Sequence, residues 1–226
     1  MRDNIIISIY IIMLEFWTDE KPKYEYRHGW LGYGNKEEIK RVLDNPDVNV
    51  ICELGTWYGK SAEFMMENSK NTSLICVDLW SNEDIKEGNQ VIKYTDKYRS
   101  ILDTYPLYET FLGNLWKHRK RIIPLRMDTK DGLRKIKQMG ITPDAIYIDA
   151  NHTYKDVKAE IEISIELFPN AILFGDDISW GGVKKAVIEC ANKYEFKIIK
   201  NRNCWRYMKF IPDDFFKNQS KHTRLL

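Results

Sequence analysis

The sequence lacks the patterns that mark several common classes of protein. Its four cysteines (Cys52, Cys76, Cys190 and Cys204) form no Cys-x-x-Cys pair, so neither a zinc cluster nor a disulfide framework is indicated, and reduced, mostly buried thiols are expected. Repeats, low-complexity tracts and linkers are absent. With 35 basic and 33 acidic side chains the net charge is only +2, so no overall field attracts nucleic acid or an anionic membrane. The composition favours chemistry on a small molecule.

The sequence also has no apolar run long enough to span a bilayer. Residues 5–14 are apolar, but a spanning helix needs roughly twenty such residues. A signal peptide is an alternative interpretation, although Arg2 stands beside Asp3 and no small-residue cleavage site follows the run. We prefer an extra strand or a disordered leader, and we expect a cytoplasmic protein.

The length of 226 residues, of which 43% are hydrophobic and 30% charged, suits one α/β domain. We predict an N-terminal extension over 1–34 and one domain over 35–226. The stretch near 81–121 is long for a connection between strands and rich in Tyr, Trp and charge, so it is interpreted as a helical insertion or lid over the site.

Short apolar β-type runs alternate with helical patterns, which is typical of a parallel sheet with helices on both faces. Seven strands are predicted, at 48–54, 73–79, 122–126, 145–149, 171–174, 196–200 and 205–210. Helices are predicted at 36–43, 61–67, 130–139, 155–167 and 183–194. The last two strands are too close for a crossover helix, so they must form an antiparallel hairpin. The expected fold is a Rossmann-like, mostly parallel sheet whose last strand is antiparallel.

The first predicted strand leads into ELGTWYGKS, residues 53–61, and then into a helix. A strand, a tight turn with Gly55 and Gly59, and a helix start form a site where backbone N–H groups can face a ligand. The Gly-x-x-x-Gly spacing differs from the G-x-G-x-x-G of dinucleotide binders, so S-adenosylmethionine is preferred to NAD. Two glycines in such a turn are weak evidence on their own.

Polar residues at the ends of the next two strands extend this candidate nucleoside site. Asp78 ends the second strand, where a carboxylate can accept hydrogen bonds from both hydroxyls of a ribose, although an N-cap or a solvated turn is the plainer reading. Asp128 and Thr129 follow the third strand, where the adenine amino group would lie, but Asp-Thr before a helix is also an ordinary N-cap.

The fourth and fifth strands deliver YIDANHTY (147–154) and FGDDISWGG (174–182). This topology would bring Asp149, Asp176 and Asp177 together at the carboxyl edge of the sheet, although Asp177 could instead cap a helix. Because like charges repel strongly in a low-dielectric cleft, a cation is expected among them, most naturally Mg²⁺. His152 is read either as a general base or as a capping residue. Aromatic residues nearby could form walls of the site or pack in the core: Trp57, Tyr58, Trp80 and Trp180.

Taken together, ELGTWYGKS, CVDLW, YIDANHTYKDVKAEI and LFGDDISWGGVKKAV resemble class I S-adenosylmethionine-dependent methyltransferases of the macrocin O-methyltransferase and cephalosporin-hydroxylase-like group. The resemblance covers about 47–210. It implies that Glu53, Gly55 and Gly59 line the methionine end of the cofactor, that Asp78 holds the ribose, and that Asp128 contacts the adenine. Three further residues in these motifs are also predicted to bind the cofactor: Thr56, Ser61 and Thr129. The resemblance also implies that Asp149, Asp176 and Asp177 bind a divalent metal.

One position departs from the family pattern. The family usually has a second aspartate, proposed as the catalytic base, where this chain has Asn151. An amide accepts no proton at neutral pH, so either His152 takes the role, or the metal at Asp149 acidifies the acceptor hydroxyl, or activity is lost.

The resemblance predicts transfer of a methyl group to an oxygen of a hydroxylated small molecule, possibly a sugar. A hydroxylase and a non-catalytic binding module are the alternatives. Methylation of nucleic acid is less favoured, because a solvated helix face explains the basic run KHRKR at 117–121 equally well. Self-association into a homo-oligomer stays open.

Overall fold

The computed structural model describes residues 16–81, 85–87, 90–92, 96–212 and 215–226, so the apolar run at 5–14 lies outside it. The α-helices are α1 (Tyr33–Leu43), α2 (Lys60–Asn68), α3 (Asp96–Thr104), α4 (Leu107–Leu115), α5 (Thr129–Gln138), α6 (Tyr154–Leu167) and α7 (Gly181–Lys193). The strands are β1 (Val50–Leu54), β2 (Ser73–Asp78), β3 (Ile85–Glu87), β4 (Gln90–Ile92), β5 (Ile122–Arg126), β6 (Ala145–Ile148), β7 (Ile172–Gly175), β8 (Lys197–Asn201), β9 (Cys204–Met208) and β10 (Thr223–Leu225). Two 3₁₀ helices are formed by Trp116–Arg121 and Phe215–Asn218.

Eight strands form the main sheet, in the order β10-β8-β9-β7-β6-β1-β2-β5. The five strands from β7 to β5 are parallel, and β9 lies antiparallel between β7 and β8. The predicted Rossmann-like sheet with its antiparallel hairpin is therefore confirmed. The predicted number of seven strands was one too few, because β10 pairs antiparallel with β8 at the edge. A three-residue strand is too short to show an alternating pattern in the sequence.

Helices cover both faces of the sheet, as predicted. Alternate strand residues point to opposite faces, so Cys52 and Leu54 join the core under α5, α6 and α7, whereas Ile51 joins the core under α1, α2 and α4. The central strands are buried on both sides, and this explains their continuous apolar sequences. The parallel strands therefore all direct their carboxyl ends to one edge.

Between β2 and β5, the described residues form more than the helical insertion that the sequence suggested. Besides α3, α4 and the first 3₁₀ helix, this part of the chain contains a small antiparallel hairpin of β3 and β4. No pattern in the sequence predicted the hairpin. None of the helices in the described ranges has the length and hydrophobicity needed to cross a membrane.

The segment ahead of α1 packs against the insertion. The indole of Trp17, which is buried, donates a hydrogen bond to the carbonyl of Ile122 at 2.9 Å. The side chain of Asn114 accepts from the N–H of Tyr26 and donates to its carbonyl, each at 3.0 Å. A Cβ added to Gly113 would lie 1.9 Å from the carbonyl oxygen of Tyr24, so α4 needs a glycine there.

Candidate active site

The turn between β1 and α2 is held closed by a carboxylate from β2. Oδ2 of Asp78 accepts the backbone N–H groups of Thr56 and Trp57, each at 2.9 Å, and Oδ1 accepts that of Trp80 at 2.7 Å. Burial raises the pKa of Asp78, and these three bonds oppose the rise. Since a carboxylate offers about four lone-pair positions, three of those of Asp78 are used within the protein.

Each glycine of the turn lies close to a different neighbour, so neither position has room for a side chain. Gly55 has φ +85° and an added Cβ would lie 2.3 Å from the carbonyl oxygen of Asp149, so β1 and β6 approach too closely for any side chain. Gly59 has φ +86°, and its added Cβ would meet Leu115 at 2.9 Å. The sequence predicted that Gly59 admits a cofactor to the backbone; here a side chain of α4 lies on that side.

The other residues of this motif that were predicted to bind the cofactor lie beneath the turn. Glu53 is fully buried and accepts a hydrogen bond from the hydroxyl of Ser61 at the start of α2. Burial raises the pKa of Glu53 to about 8, although the bond from Ser61 opposes the rise. The side chain of Thr56 is buried as well. The buried contact between Glu53 and Ser61 connects the end of β1 to the start of α2 beneath the turn.

The residues predicted near adenine both begin α5. Asp128 is its N-cap and accepts the N–H of Lys130 at 2.9 Å, which is the alternative role that the sequence allowed. The hydroxyl of Thr129 donates to Glu160 at 2.5 Å. Burial raises the pKa of Glu160 to about 8.

Asp149, His152 and Asp177 come together at the carboxyl edge of the sheet. Each offers one ligand atom, and these atoms lie within 4.8 Å of one another. Nε2 of His152 lies 2.8 Å from Oδ2 of Asp177 and 3.9 Å from Oδ1 of Asp149. Asp177 has φ +57°, and its Oδ1 accepts a hydrogen bond from Asn203 in the β8–β9 turn at 2.5 Å.

The charges in this cluster shift the ionisation of its members. Burial raises the pKa of Asp149 to about 7. Burial also disfavours the imidazolium of His152, but the carboxylates of Asp149 and Asp177 beside it outweigh burial and raise its pKa to about 10. The close pairing with His152 lowers the pKa of Asp177. Within the protein itself, His152 is therefore the positively charged partner of these two aspartates.

Asp176 belongs to the same edge but has other partners. Its Oδ2 accepts a hydrogen bond from Nδ2 of Asn35 in α1, and its Oδ1 lies 3.6 Å from the thiol of Cys204. Asn35 also donates to the hydroxyl of Tyr147 at 2.8 Å, and that hydroxyl lies 3.4 Å from Oδ2 of Asp149. All three predicted aspartates follow parallel strands at one edge of the sheet, but the close group of ligand atoms contains His152 and not Asp176. Asp176 is linked to this group through Asn35 and Tyr147.

Comparison with known proteins identifies the family of this chain. The family model described as a methyltransferase domain matches residues 52–178, more than half of the chain. The chain belongs to this methyltransferase family. It is a class I S-adenosylmethionine-dependent methyltransferase, as the sequence predicted. No curated protein sequence matches the methyltransferase.

Solved structures share the fold of this methyltransferase at low sequence identity. It is similar to the O-methyltransferase from Bacillus cereus in complex with S-adenosylhomocysteine, at 13% identity and a TM-score of 0.51, covering 91% of this chain and 90% of that one. It is also similar to the calicheamicin methyltransferase CalS11, at 16% identity and a TM-score of 0.52, covering 78% and 77%. The precorrin 8W decarboxylase of Methanobacterium thermoautotrophicum gives 12% identity and a TM-score of 0.55, covering 84% and 99%.

Asn151 of the methyltransferase lies away from the aspartate cluster. Its Nδ2 donates to Asp156 at 2.8 Å and its Oδ1 accepts from the N–H of Thr153, the N-cap of α6. Asp156 in turn contacts Lys130 at 3.1 Å. These contacts make Asn151 part of the start of α6, whereas His152 faces the aspartates.

The aromatic residues divide between the two roles that the sequence left open. Tyr58 and Trp80 are buried in the core, at 1% and 0% exposure. The backbone of Trp57 joins the closed turn. Trp180 is 56% exposed and its ring lies 4.9 Å from that of His152, so it forms an open wall beside the cluster.

The basic run at 117–121 is largely used within the methyltransferase. Lys117 pairs with Glu67 at 2.7 Å. Arg121 donates to the carbonyls of Met66 at 2.8 Å and Ser69 at 2.7 Å, near the end of α2. These contacts support the interpretation of a structural helix face.

Sequence reasoning missed three residues that position the cluster: Asn35, Tyr147 and Asn203. Tyr147 stands two residues before Asp149 and shares its strand, but its partner in α1 is 112 residues away in sequence. Asn203 lies in the predicted hairpin turn. Only a three-dimensional arrangement reveals these contacts.

Proposed function

We propose that the methyltransferase transfers the methyl group of S-adenosylmethionine to a hydroxyl of a small molecule carrying neighbouring hydroxyls, such as a sugar, with the help of a divalent metal. The observation that carries the proposal is the grouping of Asp149, His152 and Asp177 beside the Gly55 turn. The backbone of Asp149 contacts that turn, so an acceptor at the cluster would lie next to the cofactor.

For the cofactor, we propose that the turn from Gly55 to Gly59 and the remaining acceptor position of Asp78 receive the methionine and ribose parts. Leu79 is 46% exposed directly after Asp78 and offers an apolar contact for the adenine. Asp128 remains near this position but acts first as a helix cap. Bound S-adenosylmethionine supplies a methyl group that its sulfonium makes electrophilic, so the protein needs mainly to align the acceptor with it.

For the metal, the donor chemistry fits. Asp149 and Asp177 supply hard carboxylate oxygens within the close group of ligand atoms, and Asp176 offers a further carboxylate at the same edge of the sheet. Burial raises the pKa values of Asp149 and Asp176. A bound Mg²⁺ or similar cation would polarise an acceptor hydroxyl and weaken the hold of the carboxylates on the proton of His152. The fold shared with the calicheamicin methyltransferase and the Bacillus cereus O-methyltransferase supports methyl transfer to oxygen as the reaction.

His152 would then act as the general base. The side chain of His152 is one-third exposed at the edge of the cluster, but its Nε2 is buried against Asp177, so an acceptor hydroxyl that uses this atom replaces that contact. Neutral Nε2 accepts the proton of the acceptor hydroxyl as the oxygen attacks the methyl carbon. The exposed face of Trp180 beside His152 offers a stacking surface for a ring-shaped acceptor.

Methyl transfer from labelled S-adenosylmethionine to a panel of vicinal-diol glycosides and catechols tests the proposal. We expect transfer that is lost with EDTA and restored by Mg²⁺ or Mn²⁺. The variant Asp149→Asn should not be restored, whereas Asp131→Asn, a matched change on the exposed face of α5, should behave as the wild type. Undiminished transfer after metal removal would contradict the metal role. Tight binding of S-adenosylhomocysteine without transfer to any acceptor would contradict O-methylation.

A further inference from the structure

The start of α1 is joined to the aspartate cluster by one amide side chain. Asn35 is 5% exposed, and its Oδ1 accepts the N–H of Gly32 at 3.0 Å. This bond fixes which atom of the amide is the oxygen, so both N–H groups of Nδ2 point the other way. They donate to Oδ2 of Asp176 and to the hydroxyl of Tyr147.

An asparagine satisfies this position completely. One acceptor and two donors are used, each on a separate partner. Aspartate would keep the acceptor for Gly32 but would present a carboxylate to Asp176 and leave the hydroxyl of Tyr147 without its donor. No other residue of similar size offers the same set of bonds.

Tyr147 extends the connection to the second carboxylate. It is fully buried on β6 with its ring 4.9 Å from that of Phe174, so it cannot turn away. Its hydroxyl accepts from Asn35 and lies 3.4 Å from Oδ2 of Asp149. Asn35 therefore contacts Asp176 directly and Asp149 through one hydroxyl.

We propose that Asn35 is a positioning residue for the metal site, acting directly on Asp176 and through Tyr147 on Asp149, and that it couples the docking of α1 to metal binding. This inference rests on the metal role proposed above. Groups that hydrogen-bond to metal-ligating carboxylates fix their orientation, and their loss typically weakens metal affinity by about 10–100-fold. By linkage, a bound metal should in turn stabilise the docked α1.

The affinity for Mn²⁺, measured by electron paramagnetic resonance of the free ion with MnCl₂ as the only added ligand, tests this inference. Asn35→Leu removes both donors without adding a charge and should weaken the affinity by about 10–100-fold. Tyr147→Phe, which keeps the bond from Asn35 to Asp176, should weaken it less. Asn192→Leu, on the exposed side of α7, is the matched control and should leave the affinity unchanged.

Two further measurements separate positioning from a general loss of structure. The thermal midpoint and the affinity for S-adenosylhomocysteine should stay near the wild-type values in Tyr147→Phe, and hydrogen exchange in α1 should slow when Mn²⁺ is added to the wild type. Wild-type Mn²⁺ affinity in both Asn35→Leu and Tyr147→Phe would overturn the inference and leave the proposed function standing. A wild-type protein that binds no Mn²⁺ would overturn the metal role and the inference together.

Discussion

The carboxylate of Asp78 accepts the backbone N–H of Trp57 at 2.9 Å, so the end of β2 holds the turn that follows β1. Trp57 has φ +52°, a left-handed conformation that costs free energy for a residue with a side chain. The bonds to Asp78 stabilise that conformation. Asp78 therefore fixes the conformation of the turn between β1 and α2.

Replacing Asp78 with Asn should damage both folding and cofactor binding. Both oxygens of Asp78 accept backbone N–H groups. An amide has only one oxygen, and its NH₂ group cannot accept a hydrogen bond, so at least one of these backbone N–H groups would lose its partner. We expect unfolding to become easier by about 1.5–3 kcal/mol and S-adenosylhomocysteine binding to weaken by at least about tenfold, which is 1.4 kcal/mol. Denaturant unfolding and calorimetry measure the two effects. Asp131→Asn is the exposed control, and wild-type values in Asp78→Asn would contradict the role.

Gly55→Ala should be far more harmful than Gly140→Ala. Both glycines have positive φ, +85° and +71°, so both substitutions cost backbone strain of about 1 kcal/mol or more. Only at Gly55 would the Cβ lie 2.3 Å from the backbone of Asp149, whereas nothing lies within 4 Å at Gly140. Urea unfolding gives the free energy of unfolding of each variant. The difference between the two variants measures the cost of the steric clash where β1 and β6 approach each other. Equal losses would show that the strands can separate at little cost.

His152 and Asn151 should have separable effects. Asn151→Ala removes bonds at the start of α6 and should lower stability by about 1 kcal/mol, with methyl transfer changed only slightly. His152→Gln should lower the transfer rate by about 10²–10⁴-fold because it removes the proposed base. Labelled methyl transfer and thermal unfolding, run side by side, measure both. A loss of transfer in Asn151→Ala as large as in His152→Gln would restore the catalytic role to Asn151.

Glu160 should make the fold less stable at alkaline pH. Burial raises its pKa from an ordinary value of 4.5 to about 8. Between these values the folded protein keeps a proton that the unfolded chain releases, so this contribution to stability is full below pH 4.5 and is lost as the pH rises through about 8. Glu160→Gln should therefore gain stability relative to the wild type between pH 5 and 9, on the order of a few kcal/mol. Urea unfolding at several pH values measures the gain, and Glu166→Gln on the exposed side of α6 is the control. A pH-independent difference would contradict the expectation.

The sequence was sufficient for the sheet because its signals are local and redundant. Each central strand is a continuous apolar run, and the spacing between β8 and β9 permits only a hairpin. The same reasoning brought Asp149, Asp176 and Asp177 to one edge, since parallel strands share their carboxyl ends. The edge strand β10 and the β3–β4 hairpin were missed because three residues give no periodicity.

Side-chain partners were less predictable, because several groups in the site can form alternative hydrogen bonds. The sequence offered two roles for Asp128, and the N-cap bond to Lys130 is formed. It could not show that Ser61 is used on Glu53, or that Asn35 reaches Asp176 across 141 positions. Such contacts depend on rotamers and on elements that are remote in sequence, whereas strand order depends on patterns within a few residues.

The docking of Tyr24 on Gly113 bears on how this enzyme can be shortened or fused. A chain cut to begin at residue 35 would uncover Gly113 of α4 and leave the amide of Asn114 without the backbone of Tyr26. It would also remove the indole that reaches the carbonyl of Ile122 at the outer strand of the sheet. Engineered versions should keep the chain from Phe16 onward, because Trp17 and Tyr26 form hydrogen bonds with β5 and α4.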